Sequence, residues 1–328
     1  MMKFIRHSAL ILVATGCTGQ DDANDLQAVH QALVGHWTSE ACETRPAPGG
    51  GQLYLRRDFT VEANRWSGWF AFFTDNTCTT LTSVAYSEGP YTLDRRSPVA
   101  PDGVEMEFDE AVLRLTPTDP GLVGYLNGAP AGTCGDAPFA ADVTQDVTGT
   151  HGCAAVGVDL ANCGTEHELV KRAGDELFFG ARPADGSGLC TAAKRPTSYQ
   201  VPLRLVDDSA PRYAGSWRYA QGAADLSCPG APAQHHDLAD GAVTLDASAD
   251  QLVAHDPSGC SLSYAVMGIA AVLAPHQACT TAQGTQAFDR GWLIVTPDTG
   301  HLLSHDDGSL APSGSASCSA TVSGMLQR

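Results

Sequence analysis

The 328-residue chain predicts an all-β fold, with an antiparallel β-barrel-like domain followed by a second, smaller β-rich domain, both stabilised by disulfides. Three features predict it. Short alternating or wholly apolar runs, separated by Gly, Pro, Asp and Asn, recur from Gly35 to Leu205 as they do in β proteins. A polar break, Asp207-Asp208-Ser209-Ala210-Pro211, divides that stretch from a second series of short strands. Eleven cysteines supply the material for cross-links.

The N-terminus sets the expected compartment. Lys3 and Arg6 make a positive n-region, Ala9 to Ala14 an apolar h-region, and Thr15-Gly16-Cys17 closes it. The run is far shorter than the roughly 20 residues of a membrane-spanning helix, so residues 1–16 read as a lipoprotein signal peptide and Cys17 as a lipidated mature N-terminus. Ala14 stands where Leu is usual before such a cysteine, which leaves an ordinary secreted protein, cut nearby, as the alternative. Thr18 lacks the aspartate that retains some lipoproteins at an inner membrane, so the expected site is a bacterial cell envelope, at the outer membrane.

Removing Cys17 leaves Cys42, Cys78, Cys134, Cys153, Cys163, Cys190, Cys228, Cys260, Cys279 and Cys318, an even set that reads as a disulfide framework on an exported chain. No Cys-x-x-Cys pair points to zinc or redox chemistry. Six cysteines in the first domain allow fifteen connectivities and four in the second allow three. Order and short separation favour Cys42 with Cys78, Cys134 with Cys153, and Cys163 with Cys190. The net charge of -18 disfavours nucleic acid as a partner and favours solubility.

Residues 17–30 are expected to form a lipidated N-terminus and linker. Thr18 to Asp25 is a polar, acidic tether, and Leu26, Val29 and Leu33 are spaced for one short helical turn. The first domain, 31–206, has expected strands at 53–61, 66–74, 81–86, 89–94, 104–108, 111–116, 153–159, 166–171, 176–181 and 200–205. A brief helix is expected after Thr116-Pro117-Thr118-Asp119-Pro120, where a capping group and an early proline precede Leu122, Val123 and Leu126. In the second domain, 211–328, strands are expected near 213–219, 242–246, 251–255, 260–267, 291–296, 301–304 and 317–326. Gly215-Ser216-Trp217 there echoes Gly35-His36-Trp37, and with the strand count it suggests a lipocalin-like barrel.

Several segments carry a resemblance to a known family. They include Gly35-His36-Trp37-Thr38-Ser39-Glu40-Ala41-Cys42, Arg56-Arg57-Asp58-Phe59, Trp66 to Phe73 leading to Asp75-Asn76-Thr77-Cys78, and Glu88-Gly89-Pro90-Tyr91. Gln145 to Gly157, with Thr148-Gly149-Thr150-His151-Gly152-Cys153, and Arg195 to Leu203 complete the series. In this order, over residues 35–203, the chain resembles the domain of the adenomatosis polyposis coli down-regulated proteins, membrane-tethered Wnt inhibitors of animals. The resemblance implies a β-barrel-like domain whose apolar pocket takes a lipid, so a lipid or fatty-acyl ligand is the expected partner. The animal proteins carry two such domains, whereas the C-terminal half here has no visible kinship.

A pocket for an acyl chain needs apolar and aromatic walls. Trp66, Trp69, Phe70, Phe72 and Phe73 put large rings on both faces of one strand, so each face must be covered by core, by ligand or by the other domain. With Trp37 and Phe59 they are the candidate ligand-binding residues, although plain core packing is the favoured account of any single ring. Gly68 lets something approach that strand closely. Arg45 and Arg57 suit a carboxylate or phosphate headgroup, because the planar guanidinium binds oxygen pairs; an ion pair with Glu43 is the structural alternative.

No catalytic residue, metal or cofactor is expected. No Gly-x-Ser-x-Gly elbow supports a nucleophilic Ser198. His235-His236-Asp237 lacks metal-binding spacing and reads as a surface loop, and Asp306-Asp307-Gly308-Ser309 reads as a turn. The expected function is ligand binding, with a fully packed interaction module or a hydrolase with a noncontiguous site as alternatives.

Overall fold

The computed structural model describes residues 18–100, 102–208, 212–281, 284–298, 300–312 and 316–328. The expected signal peptide and Cys17 lie outside the described residues.

Helix α1 (Thr18–Leu33) runs into β1 (Gly35–Ser39), β2 (Glu43–Pro46), β3 (Gln52–Val61), β4 (Arg65–Phe73) and β5 (Leu81–Arg96). Then come β6 (Val104–Asp109), β7 (Val112–Pro117), α2 (Pro120–Asn127), β8 (Gln145–Asp146), β9 (Gly152–Cys153) and β10 (Val158–Asp159). The half closes with β11 (Thr165–Ala173), β12 (Glu176–Phe179) and β13 (Leu203–Leu205). Every pairing is antiparallel, and the order β1–β3–β4–β5–β6–β11–β12–β13 returns to β1, which closes an eight-stranded barrel. Closure leaves the barrel circuit without a free edge.

The second half contains β14 (Gly215–Ser227), β15 (Gln234–Asp237), β16 (Ala242–Ala247), β17 (Gln251–His255), β18 (Ser261–Met267) and β19 (Ala270–Leu273). It continues with β20 (Gln277–Thr281), β21 (Gly284–Val295), β22 (His301–Ala311) and β23 (Cys318–Gln327). Here β14–β16–β17–β18–β19–β21–β22–β23 closes back on β14, a second eight-stranded barrel. The C-terminal half, without visible kinship in sequence, thus repeats the architecture of the first.

Differences from the sequence reading have local causes. The polar tether is helical from Thr18, because α1 lies against the barrel: Leu26 and Val29 pack on its core and Asp25 makes a two-pronged ion pair with Arg96 at 2.6 and 2.7 Å. Residues 153–159 form two short paired strands around a 3-10 turn (Ala154–Val156). Residues 306–309 lie within β22 and are not a turn, since side chains from other strands reach the two acidic groups. Tyr264 donates to Asp306 at 3.0 Å, Thr321 donates to Asp307 at 2.7 Å, and Arg290 pairs with Asp307. His235-His236-Asp237 belongs to the exposed strand β15, with His235 against Asp225. The brief helix forms as expected, with Asp119 accepting from the Leu122 amide at 2.8 Å as its N-cap.

The disulfides join Cys42 to Cys78, Cys134 to Cys153, Cys163 to Cys190, Cys228 to Cys318 and Cys260 to Cys279. The barrels meet through an apolar cluster. Ala71, Phe73, Leu81 and Val84 of the first pack against Met267, Ile269, Ala270, Val272, Trp292 and Ile294 of the second. All four residues of β19 are buried, because one face looks into its own barrel and the other onto the neighbour. At the tip of the β18–β19 hairpin, Gly268 (φ +68) sits so close to Asp58 and Trp69 that a Cβ would lie 2.7 and 2.9 Å from theirs. Polar contacts border the cluster: Tyr213 donates to Gly268 O at 3.1 Å, the Gly291 amide donates to Asp142 at 2.9 Å, and Arg56 donates to Val295 O. The buried Asp58 is held by His36 and Arg212.

Candidate functional site

The pleat of β4 settles the two-faced aromatic strand. Trp66, Gly68, Phe70 and Phe72 point into the first barrel, while Trp69 and Ala71 point outward to the second. A bulge between Phe72 and Phe73 lets Phe73 reach both the interface cluster and an apolar cavity.

Two adjoining cavities occupy this half. One, of about 180 Å³, has an aromatic floor and a charged wall. The floor is a ring cluster: Phe59 stacks on Trp66 with centroids 5.2 Å apart, and Phe108 and Phe179 meet them edge-on at 5.1 and 5.0 Å. The other, of about 200 Å³, is apolar, bounded by Leu53, Phe73, Leu115, Leu122 and Val156 among others. Phe72, Ala85, Leu113 and Val158 border both. Together they reach the lower part of the ~300–1,000 Å³ range of small-molecule sites.

The charged wall is assembled from strands far apart in sequence. Glu43 on β2 accepts from Arg57 Nε at 2.8 Å and lies 3.4 Å from Arg45. Glu166 on β11 takes both Arg182 Nη atoms, at 2.6 and 2.7 Å, and Glu168 lies 3.9 Å from Arg182. The Arg57 guanidinium lies over the Phe179 ring, 5.1 Å from its centroid. Arg45 Nε, Arg182 Nε and Ser87 Oγ are buried and lack hydrogen-bond partners. Each borders the same cavity.

Burial dominates the protonation of this wall. It opposes ionisation of Glu43, but Arg57 and Arg45 outweigh it and hold that carboxyl low. Burial, reinforced by the charge of Glu166, pushes Glu110 up to about 8, and burial carries Glu168 up to about 7. Arg45 falls to about 9 through burial and the neighbouring Arg57. Around neutral pH, Glu110 and Glu168 hold protons for much of the time, and three guanidiniums then face two carboxylates. The wall has an excess positive charge.

Of the residues singled out in the sequence, Arg45, Arg57, Phe59, Trp66, Phe70 and Phe72 border the charged cavity and Phe73 the apolar one. Trp37 lies outside both: it is fully buried beneath the ring cluster, its indole donating to Leu33 O at 3.0 Å. Trp69 faces the other barrel, 4.5 Å centroid to centroid from Tyr86. What approaches β4 over Gly68 is the Phe59 and Phe70 rings, 2.9 and 3.0 Å from where a Cβ would be. Glu110, Glu166, Glu168, Arg182 and Ser87 were not singled out. The spacing of Glu166 and Glu168 repeats the one-face pattern of Glu43 and Arg45 and is the signal that points to them.

Residues 19–213, more than half the chain and nearly all of the first barrel with its helix, match the model of the family described as Adenomatosis polyposis coli down-regulated 1. The chain belongs to this family. The adenomatosis polyposis coli down-regulated 1 family is not a known enzyme family, and its barrel is compatible with a binding module. One trio bears on the hydrolase alternative: His255 lies 2.9 Å from Ser261 Oγ and 3.1 Å from Asp246. These residues sit on the outward face of β16–β18, with Asp246 75% and His255 41% exposed, where water competes for each contact. Among the described residues no His, Cys, Asp and Glu cluster is arranged to hold a metal.

Proposed function

We propose that the first barrel binds one acyl chain ending in an anionic group. The carrying observation is the trio of atoms without a hydrogen-bond partner among the described residues, Arg45 Nε, Arg182 Nε and Ser87 Oγ, on residues bordering a cavity that adjoins an apolar one. Leaving buried donors unmet costs roughly 1–3 kcal/mol each, and a carboxylate or phosphate oxygen in the cavity recovers that cost. The hydrocarbon then lies against Phe72, Leu113 and Val158, where burial is worth about 0.8 kcal/mol per methylene.

The same reading takes the chain to the bacterial cell envelope, anchored in the outer membrane through lipid on Cys17. Ten of the eleven cysteines form disulfides, as an oxidising compartment permits, and Cys17 is the one outside those pairs.

Three measurements test this. Organic extraction of the purified protein followed by mass spectrometry is expected to release stoichiometric fatty-acyl species, and the delipidated protein is expected to rebind a fluorescent fatty acid but not its methyl ester. An empty extract with no rebinding defeats the proposal and leaves a packed interaction module. Metabolic labelling with an alkynyl fatty acid is expected to mark the native chain and not Cys17→Ser; labelling of both defeats the anchor.

A further inference from the structure

The second barrel also encloses a cavity, of about 220 Å³, and its chemistry is opposite to that of the first. We infer that it is a binding site for a small cationic amphiphile, a primary amine on a compact apolar body.

The argument starts from charge. Among the described residues, the charged ones bordering the cavity are Asp306 and Asp256, with no Lys, Arg or His. Asp306 stands on the inward face of β22, in line with Leu302 and Ser304, and is buried; Asp256 is exposed just past β17. The basic side chains adjoining the Gly291–Asp306 pair in the ladder are engaged elsewhere: Arg290 and His305 both pair with Asp307, at 2.5 and 3.0 Å, on the other face of the strand. Asp306 makes no ion pair with a described residue. Its hydrogen bond is a single one, from Tyr264 at 3.0 Å to Oδ1, so a carboxylate able to accept about four has capacity left.

A buried carboxylate in a largely apolar enclosure, with Asp307 and Asp142 adding like charge nearby, is costly unless a positive charge joins it. Burial accordingly raises its pKa to about 7. The backbone makes room for this side chain at some expense to β21: position 291, cross-strand from Asp306, is Gly, and a Cβ there would run into Asp306 Oδ1. The remaining walls suit the rest of such a ligand. Tyr219, Tyr264 and Phe288 offer ring faces to an ammonium, and Leu245, Leu262 and Leu293 offer apolar contact.

The test uses the mature full chain and calorimetric titration with 2-phenylethylamine and with 2-phenylethanol, which differ in the charged group. The amine is expected to bind at least tenfold more tightly than the alcohol. Asp306→Asn, nearly isosteric, is expected to lose at least tenfold in amine affinity while leaving the alcohol, and fatty-acid binding by the first barrel, unchanged. Equal affinities for amine and alcohol, no amine binding at millimolar concentration, or an unaffected Asp306→Asn overturns the inference. If that variant does not fold, the ranking of the two probes on the unaltered chain decides.

Discussion

Trp37 and Trp217 occupy equivalent places in the two barrels. Each indole N–H donates to the carbonyl four residues upstream, Leu33 O at 3.0 Å and Tyr213 O at 2.7 Å. Each ring carries an arginine over its face, Arg172 at 5.1 Å and Arg328 at 4.7 Å. Each ring is buried in the core cluster of its barrel, so truncation leaves a void that the surrounding strands cannot fill. Trp37→Ala and Trp217→Ala are each expected to cost about 3–5 kcal/mol in denaturant unfolding, and Arg172→Met about 1 kcal/mol. A cost below 1 kcal/mol for either tryptophan contradicts its role as a core residue.

The excess positive charge beside Arg45 predicts how the first cavity responds to pH. As pH rises through about 7 to 8, Glu168 and Glu110 lose protons and add negative charge to the wall. Fatty-acid affinity is therefore expected to be higher at pH 6 than at pH 9. Arg45→Gln is expected to weaken it about tenfold at pH 6, the scale of one charge-assisted hydrogen bond. A pH-independent affinity speaks against headgroup recognition at this wall.

Stability has a pH dependence of its own. Burial raises Glu110 to about 8 and Glu168, Asp142 and Asp306 to about 7. Groups raised in the folded state bind protons more tightly there than in the unfolded chain. Their contribution is complete below the unfolded pKa of about 4 and is lost as pH climbs through 7 to 8. Glu43 and Asp58 act in the opposite sense: both are held low, so their contribution disappears as pH falls below about 4. Calorimetry is expected to find the highest Tm in mildly acidic buffer and a decline toward pH 9, flattened in Glu110→Gln/Glu168→Gln. A Tm that rises from pH 6 to 9 contradicts this balance.

Gly268 is the tightest point between the barrels. Its positive φ and the nearness of Asp58 and Trp69 leave no space for a side chain. Gly268→Val is expected to cost about 1–3 kcal/mol and to make the chain more sensitive to limited proteolysis. Unchanged stability and proteolysis would show that the hairpin tip does not set the contact.

Local patterns carried much of the architecture. The two-sided aromatic run of β4, the Asp119 cap of α2 and the three disulfides of the first half were legible because each depends on neighbours in sequence or on order along the chain. The length of β22 was not: Asp306-Asp307-Gly308 has turn composition, and only Tyr264, Arg290 and Thr321, brought alongside by other strands, make it a comfortable strand. The charged cavity was half legible. Glu43, Arg45 and Arg57 were visible together, whereas Glu110, Glu166, Glu168 and Arg182 join them only when the barrel closes. Trp37 and Trp69 have the composition of pocket residues, and the fold assigns one to the packed core and the other to the neighbouring barrel.

Met267, Ile269, Ala270 and Trp292 have a practical consequence. Expressed without its companion, the C-terminal half would turn this oily window toward water, where surfaces of that kind adhere to one another. Two circuits that look separable on paper therefore depend on each other for solubility, and a truncated product is expected to precipitate even where its own hydrogen-bond ladder is intact.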